Sequence, residues 1–170
     1  MSGHAETKAP TTLSSYLGDH LAGSKAGIEL VENIQSENEG TPLGAVMRQL
    51  ATEIESDSET LESIMARLGI EPSRVKQAVG WMGERLSRLR LSETVTRSAH
   101  TTRLMQLETL SLGIEGKRLL WKVLQQVPQA GPGGGGIDVD FDFDRLVTQA
   151  ESQRQQIEPF RLEAAAAGLT

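Results

Sequence analysis

Residues Thr41–Gly69, TPLGAVMRQLATEIESDSETLESIMARLG, decide the fold of this chain. Thr41 is placed to N-cap a helix, Pro42 fits the first helical position where no amide is needed, and Gly69 suits a left-handed C′ position. Between them Leu43, Val46, Met47, Leu50, Ile54, Leu61, Ile64, Met65 and Leu68 recur at helical spacing, a stripe that must be buried against other helices. Asp57 interrupts that stripe. A carboxylate facing a helical core needs a partner or a proton, so Asp57 is the first candidate for function.

The segments on either side read as partners for this face. Upstream, Leu13, Tyr16, Leu17, His20, Leu21, Ser24, Ile28, Val31 and Ile34 follow one helical face from Thr11 to about Glu37, with Thr11 or Thr12 as the cap. Gly18, Gly23 and Gly27 each cost roughly 1 kcal/mol against alanine in a helix, a loss expected where another backbone approaches closely. The loop Asn38–Gly40 is so short that the two helices must be antiparallel neighbours. Reflecting one onto the other about Glu39 brings His20 level with Asp57 or Ser58, and Ser24 level with Ile54. The expectation is a buried histidine donating to Asp57.

Downstream, Val75, Val79, Met82, Leu86 and Leu89 mark a second-rank amphipathic helix over Glu71–Leu91, followed by a polar bridge to about Ser98. Its length suits a crossover returning the chain to the other end of a bundle. Ala99–Val127 is the next helix, with apolar residues, among them Leu112, Leu119 and Val123, spread so widely that most of its circumference is expected to be covered. Pro128 stops it, and residues 129–137 form a glycine-rich loop before the last helix. That loop lacks the Gly-Lys-Ser/Thr of a phosphate loop and no strand precedes it. In IDVDFDFDR the alternating aspartates lack the glycine and the closing glutamate of a calcium loop; Asp142 or Asp144 instead caps a helix running to Gly168, which Pro159 is expected to kink.

Composition bounds the rest. A chain of 170 residues supports one domain, read here as residues 11–168 behind a disordered tail of residues 1–10. With no cysteine there is no disulfide framework and no thiolate site, which fits a reducing compartment, and the expected location is cytoplasmic. No apolar run has the length to span a bilayer. A net charge of −6 and 4 % aromatic residues argue against a nucleic-acid surface, which needs clustered Lys and Arg and stacking platforms.

Four long helices with a helical crossover after the second resemble the ferritin-like superfamily, in particular its small bacterial stress-associated branch. The resemblance covers roughly Thr11 to Gly168 and rests on topology and pattern. It implies an all-α four-helix bundle and a di-metal site made of one carboxylate from each of two helices and a Glu-x-x-His pair from each of the other two. Carried over, the site levels fall at Ser24 and His20 on the first helix, Glu53 and Asp57 on the second, Glu108, Ser111 and Glu115 on the third, and Gln153 on the fourth. There is no Glu-x-x-His in this chain.

Two functional readings follow. The first is a non-enzymatic bundle, structural or protein-interacting and homodimeric, whose metal site has become a buried polar layer and which needs no cofactor. The second is an iron or manganese protein of storage or oxidative-stress type, with His20, Asp57, Glu108, Glu53 and Glu115 as candidate ligands, since hard oxygen donors with a single imidazole suit those metals. Simpler roles compete at each position: Glu53 as the solvated edge of its helix, Glu108 and Glu115 as boundary carboxylates reaching solvent or Arg118. No hydrolase triad, phosphate loop or dinucleotide fingerprint is visible.

Overall fold

The computed structural model describes residues 11–70, 98–127 and 141–169, which form four helices and no strand: α1 (Thr11–Glu37), α2 (Pro42–Arg67), α3 (Ala99–Gln126) and α4 (Phe143–Gly168). Each described terminus has a local cause. The Thr41 side chain accepts from the Gly44 amide at 3.2 Å, and Pro42 opens α2. At the far end Gly69 adopts φ +65°, the Ile70 amide reaches the Met65 carbonyl at 2.9 Å and the Gly69 amide reaches that of Ala66 at 3.1 Å. This is a Schellman closure, and the buried side chains of Ile70 and Met65 share one apolar cluster above it. Ser98 caps α3 by accepting from the Thr101 amide, and Asp142 caps α4 by accepting from that of Arg145. α4 continues through Pro159 as one helix.

α1 packs mainly on α2 and α3 mainly on α4, with thinner seams between α1 and α3 and between α2 and α4. Directions follow from the ends. Gln106 donates to Glu37 at 3.1 Å and the Thr101 hydroxyl donates to the Gly168 carbonyl at 3.2 Å, so α3 begins beside the ends of α1 and α4. Leu17, Ile70, Leu124 and Phe143 meet at the opposite end. Hence α1 and α4 run one way, α2 and α3 the other. The crossover expected over Glu71–Leu91, its polar bridge, the glycine-rich loop and the N-terminal tail lie outside the described residues.

Three expectations need correction. The α1 hairpin glycines Gly18 and Gly27 have no neighbouring atom within 4 Å of where a Cβ would stand. The close backbone approach occurs at Gly44 instead, where a Cβ would lie 2.1 Å from the Asn38 carbonyl oxygen. The Asn38 side chain, buried and bonded to the Ile34 carbonyl, holds that carbonyl-first turn in place. Second, the hairpin register is one turn from the reflection about Glu39: Ser24 meets Ser58 at 2.9 Å, where Ile54 was expected. Third, Leu112, Leu119 and Val123 on α3 are exposed, whereas their spacing had most of the helix covered.

The apolar interior is two clusters. One gathers Leu17, Leu21, Leu61, Ile64, Leu120, Trp121 and Leu146; the other Val31, Ile34, Met47, Ile54, Leu107, Ile114 and Ile157. On α1, α2 and α3 the change from one to the other falls at Ser24, at Asp57 and Ser58, and at Lys117. A polar tier divides the core.

Candidate functional site

The tier is built by α2, α3 and α4. Asp57 replaces an apolar residue on the inner face of α2 and is 3 % exposed. Lys117 stands three residues after Ile114 and three before Leu120, both core residues, so its side chain can only run inward. Gln153 lies one turn before Ile157 on the buried face of α4. The Lys117 ammonium donates to Asp57 Oδ2 at 2.5 Å and to Gln153 Oε1 at 2.6 Å. The Gln153 amide nitrogen donates to Glu53 Oε2 at 3.0 Å and to Asp57 Oδ2 at 3.3 Å.

Burial pushes the Lys117 ammonium below the usual lysine range, and the adjacent Asp57, with Glu53 behind it, pulls it back upward. The balance is that of a buried ion pair: removing either partner strands a charge at a cost of several kcal/mol, while the intact pair contributes little beyond an apolar pair of the same volume. Two of the three ammonium hydrogens are bonded within the tier. Lys117 is placed to donate to both the Asp57 carboxylate and the Gln153 amide oxygen.

Of the sequence candidates, the structure brings Asp57 and Glu53 together through Gln153. His20 does not bond Asp57. It lies one turn away along α1, half-buried, its ring set edge-on to Tyr16 with centroids 4.7 Å apart. Desolvation lowers its pKa, and neighbouring Asp19 partly restores it. The reason is the hairpin register, which puts Ser24 and Ser58 at the level the imidazole was to occupy. Glu108 is exposed and meets Arg161 at 3.3 Å. Glu115 accepts from Arg118 at 2.7 and 2.9 Å and lies 3.0 Å from Arg154; the Arg118 bond holds its carboxyl below the usual range. Ser111 is half-buried, and no ion pair or side-chain bond draws it into the tier. Among the described residues no three His, Asp or Glu side chains are grouped so as to hold a metal ion.

Lys117 is the residue that sequence reading missed. Its signal was present: placed on the stripe defined by Leu110, Ile114, Trp121 and Leu124 it is the one cation on the inner face of α3, as Asp57 is the one anion on that of α2.

Beside the tier the seam between α1 and α3 opens into a cavity of about 410 Å³. Gly23 and Gly27 line one wall, Gly113 and Gly116 the other, and Asp57, Lys117 and Trp121 contribute to its floor. The absent side chains explain why this seam is thin where the α3–α4 seam is dense. Comparison of the chain with protein families, with curated proteins and with solved structures finds no match.

Proposed function

We propose that this chain is a non-enzymatic bundle of ferritin-like type with a structural or protein-interaction role in the cytoplasm, acting as a homodimer, and that its inner tier keeps charge balance with an internal cation. The observation that carries the reading is Lys117 at 2.5 Å from Asp57 and 2.6 Å from Gln153. In a carboxylate-lined bundle the positive charge at the centre is supplied by metal ions. Here the Lys117 ammonium stands at that level, bonded to Asp57 and Gln153, and Gln153 in turn donates to Glu53. The helix directions support the same reading, since two antiparallel hairpins with parallel second and third helices suit a chain that returns along the bundle between them.

Elemental analysis of the chain purified without added metal tests this. The expected result is far less than one equivalent of iron or manganese; about one or two ions per chain, lost in Asp57→Ala, would overturn it and restore the metal-protein reading with Asp57 and Glu53 as ligands.

A further inference from the structure

The cavity between α1 and α3 is walled mainly by hydrocarbon, with one polar band across its floor, and atoms of that band stand unbonded. Buried Ile54 and Leu61 line it about one turn either side of Asp57 on α2, and buried Ile114 and Leu120 three residues either side of Lys117 on α3. Hydrocarbon therefore flanks the band in both directions along the bundle. Gly27 on α1 and Gly116 on α3 have no atom within 4 Å of a Cβ position, so the space between the walls is open. Its volume of about 410 Å³ lies within the range of about 300–1,000 Å³ found for small-molecule sites.

Asp57 takes both its hydrogen bonds on Oδ2, from Lys117 and Gln153, and its Oδ1 accepts from no group among the described residues. With the side chain 4 % exposed and bordering the cavity, that charged oxygen is left to an occupant of the cavity. Lys117, also on the floor, uses two ammonium hydrogens on Asp57 and Gln153 and keeps the third. Ser24 gives its hydrogen to the Leu21 carbonyl, so Ser58 donates to Ser24 and accepts nothing among the described residues. Trp121 borders the same floor, its indole N–H buried without an acceptor among the described residues. Buried polar groups are bonded in the great majority of cases, and a cluster with an acceptor and donors left over beside an open space is built for an occupant.

The geometry points to a binding site for a neutral, mainly hydrocarbon molecule that carries a hydroxyl within its chain: an apolar secondary alcohol. A hydroxyl gives its hydrogen to Asp57 Oδ1 and accepts from Lys117 at the same atom. A carboxylate would bring a second anion against Asp57, and an ammonium a second cation against Lys117, each desolvated without a counter-charge of its own. A ketone accepts from Lys117 and leaves the Asp57 oxygen unmet. The flanking hydrocarbon sets the position of the hydroxyl, since a terminal one held at the band would leave one apolar arm of the cavity empty. Benzene fills an apolar cavity of about 150 Å³, so a molecule of roughly ten heavy atoms fits here.

This site goes beyond the structural role proposed above and stands or falls apart from it: metal analysis decides the tier, ligand binding decides the cavity. Calorimetric titration of the full chain with dibutyl carbinol, whose hydroxyl is at mid-chain, is expected to give saturable binding at one site per chain. Dibutyl ketone, nonyl alcohol and nonanoate are each expected to bind at least about tenfold more weakly, the factor for a charged group that loses its bond or meets a like charge. Gly27→Leu fills the cavity from a position where a Cβ meets nothing, and should leave the circular dichroism unchanged while abolishing binding. A chain that takes up none of these compounds overturns the inference. So does a ketone or a nonyl alcohol that binds as tightly as the carbinol, because Asp57 or the mid-chain position is then not what is recognised. Nonanoate as the tightest of them would make this an anion site on Lys117, and dibutyl carbinol bound equally by Gly27→Leu would lie elsewhere; either result sinks the proposal.

Discussion

Two charged clusters tie α3 into this bundle, and they differ in what surrounds them. The inner one, Asp57, Lys117, Gln153 and Glu53, sits between two apolar clusters with the Lys117 side chain 11 % and that of Asp57 4 % exposed. The outer one, Glu115, Arg118, Glu151 and Arg154, forms a lattice along the α3–α4 seam with solvent on one side. Their distances are similar. Burial makes the inner pair costly to break, because a stranded ion there cannot be rehydrated, while water replaces any lost partner in the outer lattice at little cost. The inner cluster therefore dictates which helices meet at that level, and the outer one trims a seam that packing has already made.

The sharpest test is Lys117→Ala. It leaves the Asp57 carboxylate in the core, and urea denaturation should show a loss of about 3–5 kcal/mol. Lys117→Met combined with Asp57→Leu should recover most of that, because both charges leave together. If the double variant were as unstable as the single, the pair would be contributing net stability and the comparison would fail.

Gln153→Leu should cost less, about 1–3 kcal/mol, the scale for an ammonium and a carboxylate each losing one bond while keeping others. The same denaturation experiment reads it. Arg118→Ala should change stability less than either inner variant, and the change should vanish at about 1 M salt, where the Debye length is about 3 Å. An outer variant as damaging as Lys117→Ala would reverse the ranking.

His20 lies between the two extremes, half-buried on the rim of the α1–α3 cavity, and gives the smallest effect. Its folded pKa is below the ordinary 6.5, so the unfolded chain binds its proton more readily. The contribution to stability is complete above 6.5 and is lost as the pH falls from there through the folded value. A denaturation series between about pH 8 and about pH 5 should show this slope, and His20→Gln should remove it. A proton resonance of His20 titrating above 6.5 would contradict the assignment of desolvation as the dominant cause.

Much of this architecture was legible in the residues because helix ends and faces are local properties. Thr41, Pro42, Gly69 and Asp142 act within one turn of themselves, and the α2 stripe needs no knowledge of its neighbours. Asp57 was visible as an intruder for the same reason. The short loop at Asn38–Gly40 was enough to make α1 and α2 antiparallel, yet their register slipped by one turn, since it depends on how Asn38 and Gly44 close the turn. That slip removed His20 from the tier.

What the sequence by itself determined is therefore the four described helices, the inner face of α2 and the presence of a charge inside it. Only the tertiary structure decided which cation answers it. Lys117 is 60 residues away on another helix, and the choice between it and His20 turned on a displacement of one helical turn, about 5.4 Å. The same holds for the outer face of α3. Its apolar spacing was plain, but whether a helix of this bundle covers those residues is a question of where four rods sit around one axis, which no local pattern carries.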